Sequence, residues 1–185
     1  SKFPMIKNFR LKFSTRHEPG VFDAEAFAHK SALFSLIDHP TLGKIWFINT
    51  HMASGSNQAD NISVRSAQFK QIAERIKSLE PAAPVIFGGD FNAGDHHARD
   101  ASWETYLQEF PTFQEAAHAP DTCTYCPPNS YVNHSNGKID HLVSSPELFP
   151  VSGGVALTEQ FEAPITHKPI NFSDHYGWES VFSKK

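Results

Sequence analysis

No uninterrupted apolar run in this 185-residue chain approaches the roughly eighteen residues of a membrane-spanning helix, so no transmembrane segment is expected in it. Charge is sparse at 19%, and sixteen basic against twenty acidic residues leave a net charge of −4. That balance provides no overall electrostatic footprint for nucleic acid and leaves only a local patch open. Two cysteines are too few for a disulfide framework. The Gly-x-Ser-x-Gly elbow of serine hydrolases is missing and Cys123 lacks an evident His and Asn framework, which disfavours proteases. No internal repeat and no linker divides the chain. Its first residues, Ser1-Lys2-Phe3-Pro4, hold neither a signal peptide's apolar core nor an initiating Met, so the chain is expected to begin inside a longer protein.

What remains is a length suited to one domain and enough apolar content to build its core, 39% hydrophobic with sixteen Phe. Eleven His point towards metal or proton chemistry. Phe9, Leu11 and Phe13 alternate with polar residues as in a half-buried strand. Ala32 to Ile37 and Lys44 to Ile48 read as strands joined by a turn at Asp38-His39-Pro40 and Gly43. Phe69, Ile72, Ile76 and Leu79 fall on one face of a helix over about Ser63 to Leu79, which Pro81 and Pro84 stop. Val85-Ile86-Phe87 is a buried strand, and Trp103, Tyr106, Leu107 and Phe110 form a second helical stripe. Ile139 to Val143 and Trp178 to Phe182 complete the strands. Loops are expected at Ala93 to Ala101, Asp121 to Gly137 and Phe161 to Ser173. The fold class is α+β with sheet-on-sheet packing.

Four segments put ionisable groups where an apolar strand ends: Asn49-Thr50-His51, Gly88-Gly89-Asp90-Phe91-Asn92, Ile139-Asp140-His141 and Ser173-Asp174-His175. Even neutral polar groups cost on the order of 1–3 kcal/mol each to bury unpaired. Four such strand ends are therefore expected to meet in one cleft. An oxygen- and imidazole-rich set suits a hard cation such as Mg²⁺ and the charge of a phosphoryl group. A His held by a carboxylate can take a proton from attacking water.

In this order, those segments resemble the endonuclease/exonuclease/phosphatase superfamily, the deoxyribonuclease-I-like fold, a four-layer α/β/β/α sandwich. Within it the chain looks most like the magnesium-dependent neutral sphingomyelinases. Ser1-Lys2-Phe3-Pro4-Met5 is similar to their Ser-Lys-Tyr-Pro-Ile, and Glu25 to Ser31 to their Asp-x-x-Ala-x-Lys-Gly. Arg65 and Gln68 match their Arg-x-x-Gln.

The resemblance implies His175 as general base, oriented by Asp140, with Asp90 holding the nucleophile and His51 and Asn92 on phosphate oxygens. It implies Asp90, Asn92 and Asp174 at or beside Mg²⁺, with Mn²⁺ or Co²⁺ as substitutes, and Lys30 with Glu25 as a gate. Lys30 as an ordinary surface lysine is the equal alternative. Glu25 stands where those enzymes carry Asp, and Ser31 where they carry Gly. The family's first strands, with the Glu that ligates Mg²⁺, precede the segment matched by Ser1. Residues 1–185 thus read as the larger C-terminal portion of a single domain, which needs its N-terminal part to complete the fold. The implied reaction cuts sphingomyelin to ceramide and phosphocholine at a membrane surface, with a secreted or peripheral-membrane location favoured. The alternatives are a nuclease acting on DNA or RNA, or a catalytically silent binding module. Inositol-phosphate phosphatases fit less well, because no Pro-x-Trp-x-Asp-Arg segment precedes Ile139.

Arg65 and Gln68 are expected to support packing rather than touch substrate. Asp95, His96, His97 and Asp100 are read as a solvated loop in preference to a second metal site. Cys123-Thr124-Tyr125-Cys126 leaves a local disulfide and two free thiols both open, and zinc would need ligands such as His118 or His134.

Overall fold

The computed structural model describes residues 1–15, 29–54, 59–135 and 137–184, excluding the side chains of Ala59 and His97. Five strands form the main sheet: β1 (Met5–Lys12), β2 (Ser31–His39), β3 (Gly43–His51), β4 (Val85–Asp90) and β5 (Asp140–Ser144), in that spatial order. All neighbours are antiparallel except β3 and β4, which are parallel. A parallel pair needs a long crossover. Here it contains helix α1 (Ala59–Lys77), while α2 (Ala101–Glu109) lies between β4 and β5 in the chain.

Alternation along the strands decides what each face meets. Ala32, Phe34, Leu36, Trp46, Ile48, Val85, Phe87 and Val143 share one face, packed against Phe69 and Ile72 of α1 and Trp103 and Tyr106 of α2. Each large apolar side chain buried there contributes roughly 1.5–3 kcal/mol. On the opposite face Ile45, Ile86 and Leu142 meet Leu148 and Phe182 from a second, two-stranded sheet, β6 (Leu148–Ala156) with β9 (Gly177–Lys184). That sheet leaves part of the face open. Met5, Leu33, Ile37 and Phe47 line a groove of about 580 Å³ there. Strands β7 (Gln160–Glu162) and β8 (Pro169–Asn171) make a separate hairpin.

The α+β class and the packing of sheet on sheet match expectation. Both helices lie on the same face of the main sheet, so the described residues supply three of the four layers that the resemblance implies. Helix α1 begins four residues earlier than its apolar stripe, because Asp60 and Asn61 carry the first turn without adding to that stripe. Strand β6 was not expected, since Pro150, Gly153 and Gly154 weaken its pattern. Strand β8 lies in a predicted loop and β7 starts one residue before it; each has three residues, too few for a readable alternation.

Buried Arg65 joins α1 to the chain around it: its guanidinium donates to Ala53 O (2.8 Å), Ser102 Oγ (3.0 Å) and Asp100 Oδ2 (2.6 Å). Gln68 accepts from Ala53 N at 3.0 Å. Both support packing, as expected. Asp100 is not a solvated loop residue: it caps α2 through Ser102 N and Trp103 N and pairs with Arg65.

In β4, Gly89 has φ +124°, and a Cβ there would collide with the Thr50 carbonyl of β3. Gly89→Ala is expected to lower the unfolding free energy by about 2 kcal/mol or more, measured by urea denaturation. A variant as stable as the parent would contradict the close approach of β3 and β4.

Candidate active site

Strand register assembles the site. In the parallel pair His51 lies opposite Asp90, and in the antiparallel pair Asp90 lies opposite Asp140. Three residues far apart in the chain thus stand in one row across β3, β4 and β5. His175 joins them from the turn before β9, its Nδ1 2.7 Å from Asp140 Oδ2. A carboxylate can only accept, so Nδ1 carries the proton and Nε2 is left towards Asp90.

Asp90 Oδ2 is the point of convergence. It accepts from Asn92 Nδ2 at 3.1 Å, and lies 3.3 Å from His51 Nε2 and 3.9 Å from His175 Nε2. Its Oδ1 accepts from Asn92 N at 2.8 Å. Asn92 sits at φ 49°, a left-handed conformation that Asn tolerates and that closes this tight loop. The other hydrogen of its amide goes to Met52 O at 3.1 Å, so Oδ1 is the atom it presents. His51 is well exposed, whereas Asp90 is not.

Charge in this row is unbalanced. Burial, then the neighbouring Asp140 carboxylate, push the Asp90 carboxyl up to about 7 against the pull of His175, the Asn92 amide and Lys30. Burial works to lower the His175 pKa, but the hydrogen bond and charge of Asp140, with Asp90 and Asp174, raise it overall.

A second, buried charge group backs the site. Glu115 accepts from Lys138 Nζ (2.7 Å) and Leu142 N (3.0 Å) with Oε1, and its Oε2 lies 3.0 Å from His141 Nδ1. His141 Nε2–H donates to Ala93 O at 3.0 Å, beside Asn92. Lys138 Nζ lies 4.2 Å from the Trp178 ring. Burial alone would raise the Glu115 pKa, but His141 and Lys138 hold it down at about 2. Burial lowers the Lys138 pKa in spite of Glu115.

The structure therefore brings together His51, Asp90, Asn92, Asp140 and His175, with Lys30 close enough to act on Asp90. Asp174 is exposed beside them, its carboxylate accepting from Ser173 Oγ at 3.2 Å. Glu25 lies outside the described residues. Cys123 and Cys126 form a disulfide, which removes the free-thiol and zinc alternatives. Sequence reasoning missed Glu115 and Lys138; nothing in their local spacing marks them. His141 was visible within the Asp140-His141 pair.

The donor chemistry suits a hard cation, with Asn92 Oδ1 and carboxylate oxygens at hand. Among the described residues, however, no three His, Cys, Asp or Glu side chains converge closely enough to hold one.

A model of the endonuclease/exonuclease/phosphatase family matches residues 26–175. No curated protein matches the sequence. Among solved structures, the chain is similar to beta toxin from Staphylococcus aureus, with 20% identity and a TM-score of 0.73 over 98% of this chain and 65% of that one. It is also similar to D. rerio TDP2 complexed with a single-strand DNA product, at 18% identity and a TM-score of 0.71, covering 97% and 68%. A mannosyl-6-phosphatase of Bacteroides thetaiotaomicron gives 18% and 0.71, covering 98% and 67%. Against other matched structures the chain spans as little as 46% of their length.

The Glu115 carboxyl is lowered from 4.5 to about 2, so its contribution is fully present above pH 4.5 and is lost as pH falls towards 2. That linkage amounts to on the order of 3 kcal/mol. Thermal unfolding followed from pH 7 to 2 is expected to show this loss in the parent and a shallower slope in Glu115→Gln. Equal slopes would remove the assigned charge group.

Proposed function

This chain belongs to the endonuclease/exonuclease/phosphatase family, named for hydrolases of phosphoesters, and on that premise we propose a divalent-metal-dependent phosphodiesterase acting on sphingomyelin. The observation that carries the reading is Asp90 Oδ2, faced by both His51 and His175 while Asp140 holds the far side of His175.

His175 Nε2 and Asp90 Oδ2 are 3.9 Å apart, too far for a hydrogen bond yet close enough for one water oxygen to touch both. In this reading His175 takes that water's proton at Nε2 and Asp140 stabilises the resulting imidazolium. Asp90 orients the nucleophile. His51, exposed and able to donate, meets a non-bridging phosphate oxygen. Asn92 has spent both amide hydrogens, so its Oδ1 suits a cation better than a phosphate oxygen. Asp90, Asn92 and the adjacent Asp174 are the residues that would hold Mg²⁺, or Mn²⁺ or Co²⁺ in its place. The metal would offset charge on the phosphoryl oxygens. Lys30 and Glu25 are read as a gate, Lys30 on the strength of its pull on Asp90.

The β7–β8 hairpin favours a lipid surface over nucleic acid. Phe161 and Phe172 stack with ring centroids 4.7 Å apart, Ile165 at the tip is 91% exposed, and Phe172 is 67% exposed. Phe172 leads directly into Ser173-Asp174-His175. Apolar side chains held out in water beside a catalytic segment suit insertion among lipid tails better than contact with phosphates. A DNA or RNA substrate is the second reading, favoured by the likeness to TDP2 with its DNA product.

The proposal treats residues 1–185 as the larger part of one such domain. The open groove at Met5, Leu33 and Phe47 supports this, as does the partial span of the matched structures.

Hydrolysis of sphingomyelin vesicles by the full-length parent with Mg²⁺ is expected to stop on chelation and to fall about 10²–10⁴-fold in His175→Ala. Turnover surviving that substitution would remove the assigned base. Ile165→Ser with Phe172→Ser should cut vesicle hydrolysis at least about tenfold and leave a soluble phosphodiester almost unaffected. Equal loss on both substrates would sink the lipid-surface role of the hairpin.

A further inference from the structure

The segments that carry Asp140 and His175 belong to different elements, and neither bonds the other's backbone through a regular ladder. A third segment binds both. Thr124 is fully buried, and its Oγ1 accepts from Ile139 N at 3.1 Å and from Asp140 N at 3.2 Å. Its carbonyl accepts from Tyr176 N, next to His175, at 2.8 Å, and its own N–H goes to Gly137 O at 3.1 Å. Two residues of the same stretch reinforce the second attachment. The Tyr125 ring lies 4.9 Å from the His175 ring, and Asn129 Nδ2 donates to Ser173 O at 2.9 Å. The Cys123–Cys126 disulfide closes the turn in which Thr124 and Tyr125 sit.

We propose that Thr124 is a positioning residue: one side chain and one carbonyl set the Asp140 and His175 segments at the separation their hydrogen bond requires. A 2.7 Å bond between groups on two segments is sensitive to the distance between their backbones. Nothing in a β-ladder fixes that distance here, because Asp140 opens β5 and His175 precedes β9. The hydroxyl is required for a specific reason. Two backbone N–H groups at the start of β5 point at a single acceptor, and Val, equal in shape, offers none. Ser keeps the oxygen and loses only a methyl. The inference rests on the functional reading above for its consequence in turnover, while its structural content can be measured without turnover.

The test compares Thr124→Val and Thr124→Ser in the full-length parent. Amide hydrogen exchange is read at Ile139 and Asp140, and hydrolysis of bis(p-nitrophenyl) phosphate with Mg²⁺ is read alongside. In Thr124→Val both amides are expected to exchange about tenfold faster while the Leu142 and Val143 amides keep their protection. Its kcat should fall at least about tenfold with KM changed less than twofold, and Thr124→Ser should restore both readings to near the parent values. Should Thr124→Val not fold, Thr124→Ala is read in the same way. Parent-like exchange and turnover in the folded Val or Ala variant would overturn the proposal, as would equal impairment in Thr124→Ser. A parent that hydrolyses no phosphodiester would sink the functional reading alone, since the exchange measurement still decides where Asp140 is held.

Discussion

Asp90 and Asp140 are cross-strand neighbours, and everything around the site answers the cost of holding two carboxylates that close and mostly out of water. Like charges in a partly buried row repel more strongly than in solvent, so each must be offset by a donor or a cation. His175 takes Asp140, Asn92 donates twice to Asp90, and His51 and Lys30 face Asp90 from elsewhere. The strand register creates the repulsion and also makes it useful. The same alignment that crowds the acids puts two imidazoles within reach of one oxygen.

The scaffold beneath this row is built to resist that repulsion. Arg65 is fully buried and donates to Ala53 O, Ser102 Oγ and Asp100 Oδ2, which ties α1 to the start of α2 and to the segment after β3. Glu115, Lys138 and His141 do the same between β5 and the segment after Asn92. Breaking a buried pair by removing one partner typically costs about 3–5 kcal/mol, which makes such groups effective at fixing geometry even where they add little net stability. Gly94 shows how tightly the two segments meet, since a Cβ there would strike the Lys138 carbonyl.

Much of this was legible from the residue order. Runs such as Ile45 to Ile48 and Val85 to Phe87 announce strands by apolar content alone, and the polar residues closing them mark where strand ends gather. The ordered quartet then named His51, Asp90, Asn92, Asp140 and His175 before any geometry. What stayed hidden depends on distance in space rather than in sequence. Glu115 sits in no motif and acquires its role from Lys138 and His141, 23 and 26 residues away. Strand β6 contains Pro150 and a Gly pair, so its pairing with β9 comes from tertiary packing that overrides weak local preference. The state of Cys123 and Cys126 was undecidable from spacing, because it depends on how the turn closes.

The electrostatics of the row also bear on what the site is for. A structural acid pair would be expected to end neutralised by its own donors, as Glu115 is by Lys138 and His141, whose combined pull holds its carboxyl down at about 2. Asp90 ends the other way, its carboxyl pushed up to about 7 although Asn92, His175 and Lys30 all oppose the rise. Burial is the largest cause of that rise, and the Asp140 carboxylate adds to it. A divalent cation would offset the charge of the two carboxylates, and Asn92 Oδ1, which accepts no hydrogen bond among the described residues, stands beside Asp90. Two acids of similar exposure thus end with opposite balances: Glu115 has Lys138 and His141 against it, whereas Asp90 has a second carboxylate beside it.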